Sequence, residues 1–258
     1  MSQLYFQCAA RSAVGLVRNG NEDSALSGSQ LIAVADGMGG HAGGEVASSV
    51  AINTLAAIAP TFTNAEIDID SASDLFLNSL HTIDGQIRVV AQDEPQLAGM
   101  GTTLTALFIR GIEISLLHVG DSRAYRLRGN DLEQLSADHT VLQELLNKGV
   151  ISASDAQDHP QRSMLTQALM GEGNLEPALQ VFEGKIKDRY LLCSDGLTGV
   201  LTDKEIKSLI KGKVATEAVD ALVDATYING APDNVTIIIA DLVESSSTNI
   251  EKIGAAKP

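Results

Sequence analysis

Residues 31–44, LIAVADGMGGHAGG, carry an apolar strand-forming run into Asp36-Gly37 and on through a glycine-rich lead. The pattern returns far along the chain in YLLCSDGL, residues 190–197, where a second apolar run closes on Asp195-Gly196. A strand that ends on Asp-Gly holds its carboxylate at the sheet edge, and the glycine is expected to let the backbone turn away with its carbonyl exposed. Two more acids stand in the same kind of place: Asp233 in APDNVTIII, before the last long apolar run, and Asp121 in LLHVGDSRAY, between two others.

Four acids at four strand ends impose a physical requirement. Two carboxylates about 5 Å apart in an effective dielectric near 20 repel by roughly 3 kcal/mol. A cluster of them must therefore bind cations or take up protons. The four motifs contain no histidine or cysteine beyond His41, His118 and Cys193. The donor set is nearly all oxygen, which favours Mg²⁺ or Mn²⁺ over Zn²⁺. A centre of two such ions makes hydroxide from water and clamps both oxygens of an in-line displacement, so phosphate ester hydrolysis is the chemistry it fits best.

Working outward, residues 4–10 read as a first strand, and 24–26 with 31–35 as a hairpin that delivers Asp36. Gly43-Gly44 opens a helix expected to stop near residue 59, before Pro60. A second helix follows Ser73, with Phe76, Leu80, Ile83, Ile87 and Val90 on one face. Four strands come next, over 102–109, 112–119, 124–128 and 132–135, then a short helix over 140–148 and a polar loop over 152–160. Strands at 179–182 and 190–193, a helix opened by the capping box Thr202 to Glu205, another over 216–226 and a strand over 235–242 complete the pattern. Helices fall in pairs between groups of meandering strands, which predicts α+β with an antiparallel core and not a doubly wound parallel sheet. Residues 1–243 read as one domain, and SSSTN after Glu244 predicts a polar, disordered tail over 244–258.

The 258 residues suffice for one substantial core, and with 3% aromatics and no tryptophan it must be built from Ala, Val, Ile and Leu. A net charge of -15 argues against nucleic acid or an anionic membrane as partner. It also repels a phosphoester, so metal and a few placed arginines must reverse the field locally. Cys8 and Cys193 form no spaced pair and read as small hydrophobes in a reducing compartment. No basic leader followed by a long apolar stretch and no window of 18 uninterrupted apolar residues is present, so neither signal peptide nor membrane span is expected and the location is cytoplasmic.

Seven ordered motifs carry a family resemblance: RNGNED (18–23), ADGMGGHAGGEVAS (35–48), GMGTTLTAL (99–107), HVGDSRAY (118–125), LSADHT (135–140), LLCSDGL (191–197) and APDNVT (231–236). Together they resemble the metal-dependent protein phosphatases of the protein phosphatase 2C type, in their bacterial form. The resemblance implies a central sandwich of two antiparallel β-sheets flanked by α-helix pairs, with metals at one end. Asp36 would bridge two metals, Gly37 would give its carbonyl to one, and Asp195 and Asp233 would ligate the other. Asp121, with Asp195, resembles the ligands of a third, weaker metal. Arg18 resembles the guanidinium that binds substrate phosphate, and Glu22 and Asp23 match acids that hold metal-bound waters.

One departure stands out: relatives with DGHGG place a histidine, proposed as general acid, where this chain has Met38. Leaving-group protonation would then fall to a metal-bound water. The implied activity is hydrolysis of phosphoserine and phosphothreonine in proteins by direct attack of a metal-bridging hydroxide, with Mn²⁺ or Mg²⁺ as cofactor. Implied substrates are proteins phosphorylated by bacterial Ser/Thr kinases, the cognate kinase among them, handled by a monomer. Some relatives continue through a membrane anchor. The alternatives are a noncatalytic phosphoprotein-binding module of the same fold and a phosphatase of small phosphoesters.

Other motifs carry a plainer reading. GMGGHAGG lacks the lysine and spacing of a nucleotide loop, and Asp68, Asp70 and Asp74 read as loop and helix-cap chemistry, not a calcium site. His41, His118 and His139 read as structural, and His159 as a weak candidate for substrate contact. Residues 145–165 are expected to form a flap beside the acids.

Overall fold

Strands that are apolar at nearly every position can be buried on both faces, and the two sheets are built on that basis. The computed structural model describes residues 3–39, 42–151, 164–175, 178–245 and 249–257. The first sheet contains β1 (Tyr5–Ala13), β7 (Arg123–Arg128), β8 (Asp131–Gln134), β10 (Arg189–Cys193) and β11 (Val235–Val243), in the order β1-β11-β10-β7-β8. The second contains β2 (Asp23–Ser27), β3 (Leu31–Met38), β5 (Leu104–Arg110), β6 (Glu113–Val119), β9 (Leu179–Glu183) and β12 (Glu251–Gly254), ordered β12-β2-β3-β5-β6-β9, with β4 (Gly101–Thr102) on the end of β3. All neighbours are antiparallel, as expected from the meandering strand groups.

Alternation within β10 and β11 separates the layers. Tyr190, Leu192, Ile238 and Ala240 turn inward onto Ile32, Val34 and Leu107 of the opposite sheet. Leu191, Cys193, Ile237 and Ile239 turn outward and are covered by α5 (Asp203–Ile210) and α6 (Ala215–Ile228) through Ile206, Ile210, Val219 and Leu222. On the other side α1 (Gly43–Thr63) and α2 (Ile69–Asp93) cover the second sheet. The result is the expected sandwich flanked by helix pairs. The shorter α3 (Val141–Asn147) and α4 (Asp195–Thr198) sit in the connections.

Helix α1 runs through Pro60 instead of stopping before it. Proline removes one ladder bond and crowds the preceding turn, so the final turn is held by something else. Phe62 lies 5.4 Å from Phe76 and 5.1 Å from Phe108, ring centre to ring centre, and all three are buried. By length and composition α1 could cross a bilayer, at a mean hydropathy of 1.3, but Ala47, Ala51, Leu55 and Phe62 are buried against α2 and the sheet. Helix α2 starts before Ser73, because Asp68 caps it by accepting from the Ser71 amide at 2.9 Å.

The tail departs from expectation. Glu251–Gly254 forms β12 on the edge of β2, the Ala255 amide donates to the Asp23 carbonyl at 2.8 Å, and Ala256 is buried. The polar run hides an apolar tip, Ile253 to Ala256, which satisfies an otherwise open sheet edge. Most of the expected flap, the 152–160 loop and both His41 and His159 lie outside the described residues.

Phe62→Ala should lower unfolding stability by about 3–5 kcal/mol, since a buried ring leaves a cavity where α1 has no compensating ladder bond. Urea denaturation checks this, and a loss below about 1 kcal/mol would show that the turn after Pro60 holds without the ring cluster.

Candidate active site

Asp36 lies within β3, not at its end, for the strand continues to Met38 and pairs Gly37 with Thr102. Its backbone is fixed on both sides: the Asp36 amide donates to Thr103 Oγ1 at 2.9 Å, and the Thr102 hydroxyl and Thr103 amide both donate to its carbonyl at 2.9 Å. Asp23 stands opposite in the β2–β3 register. Gly37 has no left-handed φ; it is glycine because any Cβ would overlap the Gly44 carbonyl at the start of α1. Gly196 is the same case, with the Asn234 carbonyl in the way. Close approach, not a turn, explains both Asp-Gly pairs.

Asp195 opens α4, Asp233 precedes β11 and Asp121 lies in the β6–β7 connection, after Gly120 at φ 105°. All three meet Asp36, Gly37, Glu22 and Arg18 in one open cleft of about 930 Å³, which Met38, Gly39 and Thr103 also line and which residues 165–175 wall. Asp23 alone among the expected site residues is not in the cleft lining. It is buried beneath it, with Oδ2 accepting from Ser194 Oγ at 2.7 Å and Oδ1 without a partner. The Arg18 Nη2 donates to Asp233 Oδ2 at 2.6 Å, and Asp233 Oδ1 accepts from the Asn234 amide at 2.8 Å.

Burial and mutual repulsion push Asp36, Asp121, Asp23, Asp195 and Glu22 up. The Asp36 carboxyl is held well above the usual range by burial and then by Asp23, Asp195, Asp121 and Asp233. Burial and the charge on Asp195 raise Asp121 to about 7, and burial raises Asp23 to about 7 despite the Ser194 hydrogen bond. Asp195 rises through burial and Asp233. Glu22 rises chiefly through burial, with Arg18 opposing.

These residues fit hard divalent cations. The donors are carboxylates and a carbonyl, the charges repel, and one buried carboxylate oxygen is orphaned. Among the described residues no three His, Cys, Asp or Glu side chains form a ready-made cage; Asp233 has both oxygens engaged elsewhere, and ligation would draw it from Arg18.

A family model described as protein phosphatase 2C matches residues 20–227. The chain belongs to the protein phosphatase 2C family. It is 42% identical over 245 residues to the serine/threonine protein phosphatase PstP of Mycobacterium tuberculosis, covering 93% of this chain and 46% of that protein. The chain thus spans about half the length of that relative. It is 34% identical over 237 residues to the serine/threonine phosphatase stp of Listeria monocytogenes, covering 90% of this chain and 94% of the other. The solved catalytic domain of PstP in complex with two manganese ions superposes with a TM-score of 0.85 at 39% identity, covering 93% of this chain and 99% of that one.

Within the family's motifs, several residues serve the scaffold. Arg123 of HVGDSRAY grips Asp138 of LSADHT, Nε to Oδ1 at 2.9 Å and Nη2 to Oδ2 at 2.6 Å. His118 donates to or accepts from Thr105 Oγ1 at 2.9 Å, and His139 Nδ1 accepts from the Gly120 amide. Neither imidazole lines the cleft. Residue-by-residue reading gave no role to Thr102, Thr103, Ser194 or Asn234, which hold the acids in place. The paired threonines after a glycine at a strand start were the available signal for the first two.

Stability of the metal-free protein should fall as pH rises. A carboxyl raised from an unfolded value of 3.8 to about 7 binds more protons folded than unfolded. Its contribution is complete below about pH 4 and lost as the pH climbs through about 7. Melting in chelator should show Tm declining from roughly pH 5 to pH 8, with saturating Mn²⁺ raising Tm and removing most of the decline. A flat metal-free profile would contradict the clustered acids.

Proposed function

We propose that this chain is a metal-dependent phosphatase acting on phosphoserine and phosphothreonine in proteins. The observation that carries the reading is the convergence of Asp36, Asp121, Asp195 and Asp233 from four separate elements on one cleft that also presents Arg18. Asp36, the Gly37 carbonyl, Asp195 and Asp233 would hold two Mn²⁺ or Mg²⁺ ions, and Asp121 with Asp195 a weaker third. Such ions, when bound, make a nucleophile of water at neutral pH and offset the charge of the phosphoryl group.

Arg18 is the substrate's anchor. Asp233 uses one of its five donors and fixes the direction of the guanidinium, which leaves others for phosphate oxygens. Glu22, with its amide held by Asn234 Oδ1 at 2.9 Å, points its carboxyl at the cleft to accept from water and orient it.

Direct attack by water is supported by the commitments of the hydroxyls among the described lining residues. The Thr103 hydroxyl is committed to the Asp36 amide and Ser122 Oγ, and the Thr166 hydroxyl to Glu144. Among the described residues neither hydroxyl is hydrogen-bonded to an imidazole, so none of them offers an activated side-chain hydroxyl to compete with water. Met38 lines the cleft without a proton to give, so leaving-group protonation comes from solvent held by the acids. The openness of the cleft suits a polypeptide, and substrates of Ser/Thr kinases, the cognate kinase included, are the intended partners. The unbridged thiol of Cys193 suits the reducing cytoplasm.

Phosphate release from a phosphothreonine peptide should require Mn²⁺ or Mg²⁺, and Asp36→Asn or Asp195→Asn should each reduce kcat by about a thousandfold or more. Near-normal turnover in either folded variant would defeat the assignment.

Arg18→Ala should raise KM for the peptide by about tenfold or more, with some loss of kcat, while metal affinity by calorimetry stays within a few fold. Lost metal binding at an unchanged KM would reverse the role given to this arginine.

A further inference from the structure

The wall formed by residues 165–175 is anchored from outside the site. Met170, Glu172 and Asn174 line the cleft. The glycines between them turn the other way: the Gly171 amide donates to Asp84 Oδ1 at 2.7 Å, and the Gly173 amide to Asp84 Oδ2 at 2.9 Å. Both glycines are left-handed, at φ 77° and 71°. A Cβ on Gly171 would stand 2.7 Å from the Cα of Arg88, one helical turn beyond Asp84. No other residue type fits that contact without displacing the wall or the helix.

Asp84 is 3% exposed, on the face of α2 that carries Leu80, Ile83 and Ile87 into the core. A carboxylate in such a place is costly unless both oxygens are satisfied, and packing alone would favour an apolar side chain. Its two partners are the backbone of the cleft wall. Upstream, Leu169 exchanges backbone hydrogen bonds with Thr102 at 3.0 and 2.9 Å, and the Thr102 hydroxyl donates to the Asp36 carbonyl. The wall is thus tied at one end, through Thr102, to the strand that carries Asp36 and at the other to a helix that contributes no side chain to the cleft lining.

We propose that Asp84 is a positioning residue for substrate binding. From α2 it fixes Gly171 and Gly173, and so places Met170, Glu172 and Asn174 against the peptide that flanks the phosphorylated residue. This rests on the phosphoprotein reading given above. Metal and phosphate lie beyond its reach, so its influence falls on the polypeptide part of the substrate.

The test compares Asp84→Ala, Asp84→Asn and Gly171→Ala on a phosphothreonine peptide and on p-nitrophenyl phosphate, both at saturating Mn²⁺. Asp84→Ala should raise KM for the peptide by about tenfold and affect kcat/KM for the aryl ester several-fold less, because only the peptide uses the wall. Asp84→Asn keeps one acceptor and sets an NH₂ against the second amide, so its KM should fall between wild type and Asp84→Ala. Gly171→Ala should reproduce the Asp84→Ala pattern with the carboxylate intact. Hydrogen exchange should increase across residues 169–175 in Asp84→Ala, with Mn²⁺ affinity retained. If Asp84→Ala fails to fold, the other two variants decide. Equal losses on both substrates, or an unchanged peptide KM alongside increased exchange, would overturn the proposal. Wild-type protein inactive on both substrates would bring down the phosphatase reading and this inference with it, whereas active wild type with peptide KM unchanged in the variants would remove this inference alone.

Discussion

Repulsion among the carboxylates around Asp36 is the constraint on which the rest of the structure depends. Burial and four neighbouring acids all act against its ionised form, and a hydrogen bond between Asp36 and Asp195 with the Arg18 guanidinium on Asp233 offsets only part of that repulsion. The scaffold supplies the rest. The Asp36 peptide is gripped by Thr102 and Thr103, Glu22 by the Asn234 side chain, and Asp23 by a Ser194 hydroxyl that also accepts the Thr236 amide at 3.0 Å. The Asn234 and Ser194 ties cross from one acid-bearing element to another.

The layered core supplies the rigidity behind those ties. Because β10 and β11 are buried on both faces, neither can slide without moving Ile238 and Leu192 out of the sandwich or Ile237 and Leu191 out of the helix layer. Register is fixed over nine paired positions between β1 and β11. Asp195 and Asp233 therefore leave the first sheet, and Asp36 the second, at positions set by packing. Glycine at 37 and 196 then lets α1 and the Asn234 segment close to backbone contact, which a single methyl would prevent.

Much of this was legible in the sequence because it rests on local signals. Periodicity gave the paired helices, turn residues gave the meanders, and the capping box at Thr202 is formed as read, with Glu205 returning to the Thr202 amide at 2.8 Å. What was not legible depended on contacts between distant segments. Pro60 reads as a stop until Phe62 meets Phe76 and Phe108. The 244–258 tail reads as disordered until Ile253 and Ala256 find the open edge of β2. Asp84 carries no local signal, because its partners Gly171 and Gly173 arrive from far downstream. Asp23 reads like its neighbour Glu22, but strand alternation sends one side chain into the cleft and the other beneath it.

The field of the whole molecule links the two kinds of ligand. The chain carries a net charge of -15, and among the described residues lining the cleft Arg18 is the one cation. On the proposed function, a phosphorylated protein approaching these acids would be repelled by them and attracted by a single guanidinium already paired to Asp233. Divalent cations held at the acids, as proposed, would reverse that local sign and draw on Asp233 as well, which would release donors on Arg18 toward the phosphate. Metal and phosphate must then strengthen one another's binding by the same factor, because linkage between two sites is reciprocal. The acidity that would exclude the substrate from the cleft is the property that assembles the centre able to bind it.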